Sequence, residues 1–126
     1  MLDWERAPRT RVELTLLDAP AMRRLNRRAL GRRALTDVIA FALPQADGSL
    51  LGDVYVCPAA AAQFLERQRN GVRRDHVANL AEELIRLVVH GTLHVLGYDH
   101  SDGPGRMRSA MWRTQERYVR RLLGGG

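Results

Sequence analysis

The chain has 126 residues, 45% of them hydrophobic, a formal net charge of +6 and a sequence pI of about 10.9. That length holds one domain with a sizeable core and excludes two. The single cysteine, Cys57, excludes an internal disulfide, and no apolar run approaches the roughly 20 residues of a membrane span. The opening MLDWERAPRT also lacks the apolar core of a secretory signal, so a cytoplasmic setting with no membrane partner is expected.

In chain order, VELTLL (12–17) alternates as a strand does. Asp18 is placed to cap a helix that begins near Pro20, runs through AMRRLNRRAL and stops at Gly31. TDVIAFAL (36–43) is β-branched and apolar and closes at Pro44; PQADGS is a turn, and LLGDVYVC (50–57) reads as the next strand. Pro58 opens a second helix, PAAAAQFLERQR, ended by Asn70 and Gly71. DHVANLAEELIRLVVHGTLHVL, from Asp75 to Leu96, reads as the longest helix, with Leu80, Leu84, Leu87, Val88 and Leu93 at helical spacing and mostly buried. Gly91 inside it costs about 1 kcal/mol relative to alanine, which fits a close approach of backbone or substrate, or simple packing. A last helix, 105–123, carries Met107, Met111, Trp112, Tyr118 and Val119, a stripe read as core rather than as a cofactor site. Glycines 124–126 are expected to lack fixed structure. No internal repeat or linker interrupts this order. It predicts a single α+β domain: a small mixed β-sheet covered by helices, with the long central helix presenting the chemistry.

That chemistry is concentrated in HGTLHVLGYDH (90–100), which holds three of the four histidines. His90 and His94 are one helical turn apart on one face and can grip one ion. Gly97 then suits a helix end, letting the chain reverse and His100 return toward the first two rings. Three imidazoles with a fourth position open to water form a catalytic zinc arrangement, which brings the pKa of a bound water toward ~7. The spacing is also that of the extended zinc-protease motif, but the protease's glutamate base is replaced by Gly91, which carries no proton. A hydrolytic metal site that is not a peptidase is the reading that follows. His76 stands alone near a helix start and is read as an ordinary histidine. Glu83 shares a face with His90 but lies two turns away, too far to hold the same ion.

All twenty basic residues are arginine. Guanidinium forks pair with phosphate oxygens two at a time, so an anionic polymer fits as partner. A G+C-rich genome would enrich arginine equally, and charge alone does not choose between the two.

At HGTLHVLGYDH the chain resembles the YbeY family of bacterial rRNA-maturation endoribonucleases, whose signature is H-G-x-L-H-L-x-G-Y-D-H. Leu25-Asn26, TDVIAF (36–41) and LGDVYVC (51–57) extend the likeness. The resemblance implies one zinc per chain held by His90, His94 and His100. It also implies cleavage of single-stranded RNA, 16S rRNA 3′-end maturation and ribosome quality control, with the 16S precursor and the small ribosomal subunit as partners. It further implies that most of an N-terminal strand and helix found in the family is missing here. The family's L-N-x-x-Y-R-G reads LNRRALG in this chain, so its tyrosine is Ala29 and its arginine Leu30; Leu35 and Ala40 depart as well. Arg28 and Arg32 are the candidates for meeting charge on the phosphate in place of that arginine. Asp99 is the candidate for orienting a ligand imidazole, with a turn-forming role equally open to it, and Asp37 is a weaker candidate. No general base is evident. Two other classes share these residues: a non-catalytic RNA- or ribosome-binding protein with a structural zinc, and a zinc peptidase with a displaced base. Nothing in the sequence sets an oligomeric state.

Overall fold

A computed structural model describes residues 1–71, 79–98 and 110–124, with residues 68–71 described in backbone only. The elements in chain order are β1 (Thr10–Leu16), α1 (Ala19–Leu30), β2 (Val38–Pro44), β3 (Leu50–Val56), α2 (Pro58–Gly71), α3 (Leu80–Val95) and α4 (Ala110–Leu122). The three strands form one mixed sheet in the order β1-β3-β2, with β1 parallel and β2 antiparallel to β3. Two successive residues on a strand face opposite ways, so β2 and β3 divide their side chains between two cores. Val38, Ala40, Val54 and Val56 pack with Leu84, Leu87, Val88 and Val95 of α3. Ile39, Phe41 and Tyr55 pack on the other face with Met22 and Leu25 of α1 and with Ala60 and Phe64 of α2. The expected α+β class, with a small mixed sheet under helices, is what the chain adopts.

Local signals account for most boundaries. Asp18 caps α1 by accepting from the Ala21 N–H at 2.9 Å, and Gly31 ends it. At the hairpin, the Asp47 carboxylate accepts from the Ser49 N–H at 2.9 Å, closing the turn between β2 and β3. Some boundaries differ from expectation: β1 is Thr10–Leu16 rather than 12–17, β2 is Val38–Pro44 rather than 36–43, and α3 starts late. The long helix was to begin at Asp75, but Asn79 has extended backbone (φ −76°, ψ 168°) and its side chain accepts from the Glu82 N–H at 2.8 Å. A satisfied N-cap defeats the hydrophobic period that suggests an earlier start, so α3 begins at Leu80. Residues 75–78 and 105–109, like 125 and 126, lie outside the described residues, whereas Gly124 is placed by its N–H bonding to the Arg121 carbonyl.

Helix α3 is the central element. One side meets the sheet, while Val89 and Leu93 on the other form a core with Met111, Tyr118 and Val119 of α4. The Met and aromatic stripe of α4 is thus core, except that Trp112 is half-buried and Met107 lies outside the described residues. Contact between α3 and the sheet depends on two missing side chains. A Cβ at Gly52 of β3 would lie 2.5 and 2.7 Å from the two Cγ atoms of Val95, and one at Gly91 would lie 2.7 Å from Val54 Cγ1. Gly91 is therefore explained by close packing on β3.

Gly52→Ala is expected to destabilise the fold by about 1–3 kcal/mol through overpacking against the stiff Val95 side chain. Urea denaturation would read this, and combining it with Val95→Ala should recover part of the loss, since the two sites share one contact.

Candidate metal centre

The last turns of α3 bring His90 and His94 together, with Nε2 atoms 3.1 Å apart and ring planes at 81°. Two nitrogens bound to one zinc at 2.0–2.1 Å and a tetrahedral angle are separated by roughly 3.3 Å, so the pair already has near-chelating spacing. Beyond them the helix closes in a Schellman turn: Tyr98 N–H bonds to the Leu93 carbonyl and Gly97 N–H to the His94 carbonyl, with Gly97 at φ 97°. The helix ends at that glycine, as the motif suggests. His100 and Asp99 lie outside the described residues, as does His76. Among the described residues, no group of three His, Cys, Asp or Glu side chains could hold an ion. Cys57 is fully buried beside Met22 and Ile39, away from metal chemistry.

What orients His90 comes from α4, a partner the sequence reading missed. The Gln115 Oε1 lies 2.7 Å from His90 Nδ1, and the Gln115 Nε2 donates to Glu116 Oε2 at 3.0 Å. A carboxylate only accepts, so the amide must present its NH₂ to Glu116 and its oxygen to the histidine. An amide oxygen also only accepts, so Nδ1 of His90 carries the proton. Its Nε2 is then left with a lone pair facing His94, the tautomer a metal ligand requires. Gln115 is 3% exposed, which keeps water from competing for these bonds.

Glu116 is itself fixed. Arg86, one turn before His90, donates from Nε and Nη2 to its two oxygens at 2.9 Å each, and from Nη1 to Glu83 at 3.2 Å. Burial pushes the Glu116 carboxyl up, but the hydrogen bonds from Arg86 and Gln115 outweigh it and hold the group below the usual carboxylate range. Glu83, where burial dominates over the single Arg86 contact, is held above that range. Its role is to share Arg86, not to approach the histidines' ion.

Asp37, at the entry to β2, is close enough to His90 for each charge to be felt by the other; burial raises its pKa, against hydrogen bonds from its own and the Val38 N–H. Arg28, Leu30 and Arg32 are all exposed at the end of α1 and just beyond it. Tyr98 of the motif donates its hydroxyl to Glu5 at 2.9 Å, and Trp4 stacks on Tyr118 at 5.3 Å, so the N-terminal turn is tied to the motif and to α4.

A small α+β domain that presents a preoriented histidine pair at the end of its central helix is the class defined by this geometry. A family model described as Endoribonuclease YbeY matches residues 2–123, and the chain belongs to that family. The Endoribonuclease YbeY of Micrococcus luteus is 34% identical over 124 residues, covering 92% of this chain and 73% of that protein. That of Kineococcus radiotolerans is 33% identical, covering 89% of this chain and 64% of its relative. The solution structure of TM1509 from Thermotoga maritima superposes with a TM-score of 0.59 at 30% identity, covering 90% of this chain and 69% of that one. The chain thus spans about two thirds of the length of these relatives.

Glu116→Gln is expected to destabilise the protein at pH 7 by about 2–3 kcal/mol, because Arg86 loses its paired acceptor. A carboxyl held low stabilises the fold above its unfolded pKa, and the contribution is lost as pH falls through the folded pKa. The deficit of the variant should therefore shrink as urea titrations are repeated from pH 7 down to about pH 3.

Proposed function

We propose that this chain is a metal-dependent endoribonuclease that hydrolyses phosphodiester bonds of single-stranded RNA. In this reading one zinc ion is held by His90, His94 and His100. The observation that carries the reading is the fixed tautomer of His90, whose Nε2 faces that of His94 at 3.1 Å while Gln115 holds Nδ1–H. A buried amide and an ion pair devoted to aiming one imidazole suit a ligand better than a packing residue. Family membership supplies the substrate class, RNA. A zinc ion bound there would supply Lewis-acid stabilisation of the phosphoryl oxygen and an activated water.

The chain's own residues perform the rest. Gln115 and Glu116 keep His90 in one orientation through turnover. Asp37, whose carboxyl pKa burial raises and whose charge His90 feels, is a candidate for holding a proton during turnover. No peptidase base arises from position 91, because a side chain there would meet Val54 of the sheet. By the same family reading, the physiological task is 16S rRNA 3′-end maturation and ribosome quality control on the small subunit in the cytoplasm.

The test is cleavage of a labelled single-stranded RNA by zinc-loaded protein. His94→Ala and chelated protein should lose more than about 100-fold in rate, since removing a ligand exceeds the 10–100-fold typical of its outer partners. Equal cleavage by all three preparations would sink the proposal. Gln115→Leu should weaken zinc affinity by about 10–100-fold in competition with a coloured chelator, with the helical circular dichroism unchanged.

A further inference from the structure

The largest run of arginines uninterrupted by an acid lies between Asp18 and Asp37. Between Asp18 and Asp37 the chain carries six arginines, Arg23, Arg24, Arg27, Arg28, Arg32 and Arg33, and no acidic residue. These six contribute +6 with no acid among them; residues 103–126 form a second basic segment, six arginines to one glutamate. Four of the six line one cleft of about 280 Å³: Arg23, Arg24, Arg27 and Arg33. Among the described residues, none of these four guanidinium groups has a carboxylate within ion-pair distance, whereas Arg9, Arg11 and Arg86 do. Arg23 and Arg27 are four apart and Arg24 and Arg27 three apart, so like charges repel along the helix at some cost in stability. A counter-charge from outside would remove that cost.

The cleft is built as well as charged. Arg33 lies on the loop, and the loop is fastened to α1 by buried Asn26, whose Nδ2 donates to the Ala34 carbonyl at 2.7 Å. This tether sets Arg33 across from the helix arginines. Four residues further on is Asp37, whose carboxyl interacts with His90. Four residues of chain span at most about 14 Å, which bounds the distance from Arg33 to Asp37.

We propose that this arginine cleft is a subsite for the phosphate backbone of the RNA strand, engaging phosphates away from the bond that is cut. The assignment uses Arg23, Arg24, Arg27 and Arg33 and does not involve Arg28 or Arg32, which lie outside the cleft lining. Guanidinium forks fit phosphodiester oxygens bidentately and read no base, so the subsite holds and orients the strand without selecting sequence. The proposal rests on the RNA-cutting reading for the identity of its polyanion.

Binding can be tested apart from cleavage, using a labelled, uncleavable 2′-O-methyl oligoribonucleotide of about twelve nucleotides and anisotropy at several salt concentrations. Arg24→Gln/Arg27→Gln should weaken binding about tenfold or more and lower the salt slope by about 1.4, the value for two single-strand phosphate contacts. Arg9→Gln/Arg11→Gln removes the same charge from arginines that face Asp47 and Glu13, and should change affinity less than about twofold. Equal weakening by the two double variants would overturn the cleft, leaving net charge as the whole effect, and so would an unchanged affinity in the first or no binding by the native protein. If the native protein binds through the cleft but zinc-loaded protein cuts no RNA, the nuclease reading fails and the subsite stands. If the native protein cuts RNA while the cleft variant binds as the native does, the subsite fails and the nuclease reading stands.

Discussion

Everything in this fold is referred to α3, which is clamped between the sheet on one side and α4 on the other. The clamp on the sheet side works because Gly52 and Gly91 leave no Cβ between helix and strand, allowing Val95 and Val54 to fill the space. On the α4 side, Val89 and Leu93 supply the apolar contact, and Arg86 supplies a bidentate bond to Glu116. Packing of this density has few alternative arrangements, so the rings at the end of α3 inherit a defined position. A histidine pair on an isolated helix would have the right spacing and freely rotating imidazoles. Here the second helix removes that freedom.

The line Arg86–Glu116–Gln115–His90 shows how a structural ion pair acquires a chemical consequence. Each link limits the next: the guanidinium fixes the carboxylate, the carboxylate fixes which way the amide points, and the amide fixes the tautomer. No member of the line needs to touch substrate. The same residues hold α4 against α3, so stability and site geometry are coupled. Burial sharpens the coupling because water is not available to replace a lost partner.

Charge is distributed by a different logic. Among the described residues Arg9, Arg11 and Arg86 pair with carboxylates, while α1 and its following loop carry arginines with no acid between them. Leu30, at the end of α1 in that segment, is 47% exposed.

Much was readable from the residues alone. The Asp18 cap, the hairpin turn and the glycine after the histidine helix are local signals, each satisfied within a few residues of chain and found where expected, while β1 and β2 are displaced by one or two residues from the alternation that suggested them. The i, i+4 spacing of His90 and His94 made their approach a consequence of helix geometry. The start of α3 was misread because Asn79 offers a cap that outcompetes apolar periodicity, a choice the Asn79–Glu82 bond settles. Gln115 was legible in part: it interrupts the buried stripe Met111, Tyr118 and Val119, and a polar residue there asks for a partner. Which partner was beyond sequence, because His90 lies twenty-five residues away on another helix and hydrogen bonds between helices have no period. The sequence by itself determined the elements, the histidine spacing and the sum of the charge. Only tertiary structure decided which face Gly91 serves, what holds His90, and which arginines share a cleft, since those depend on how helices dock and docking is a property of the whole core.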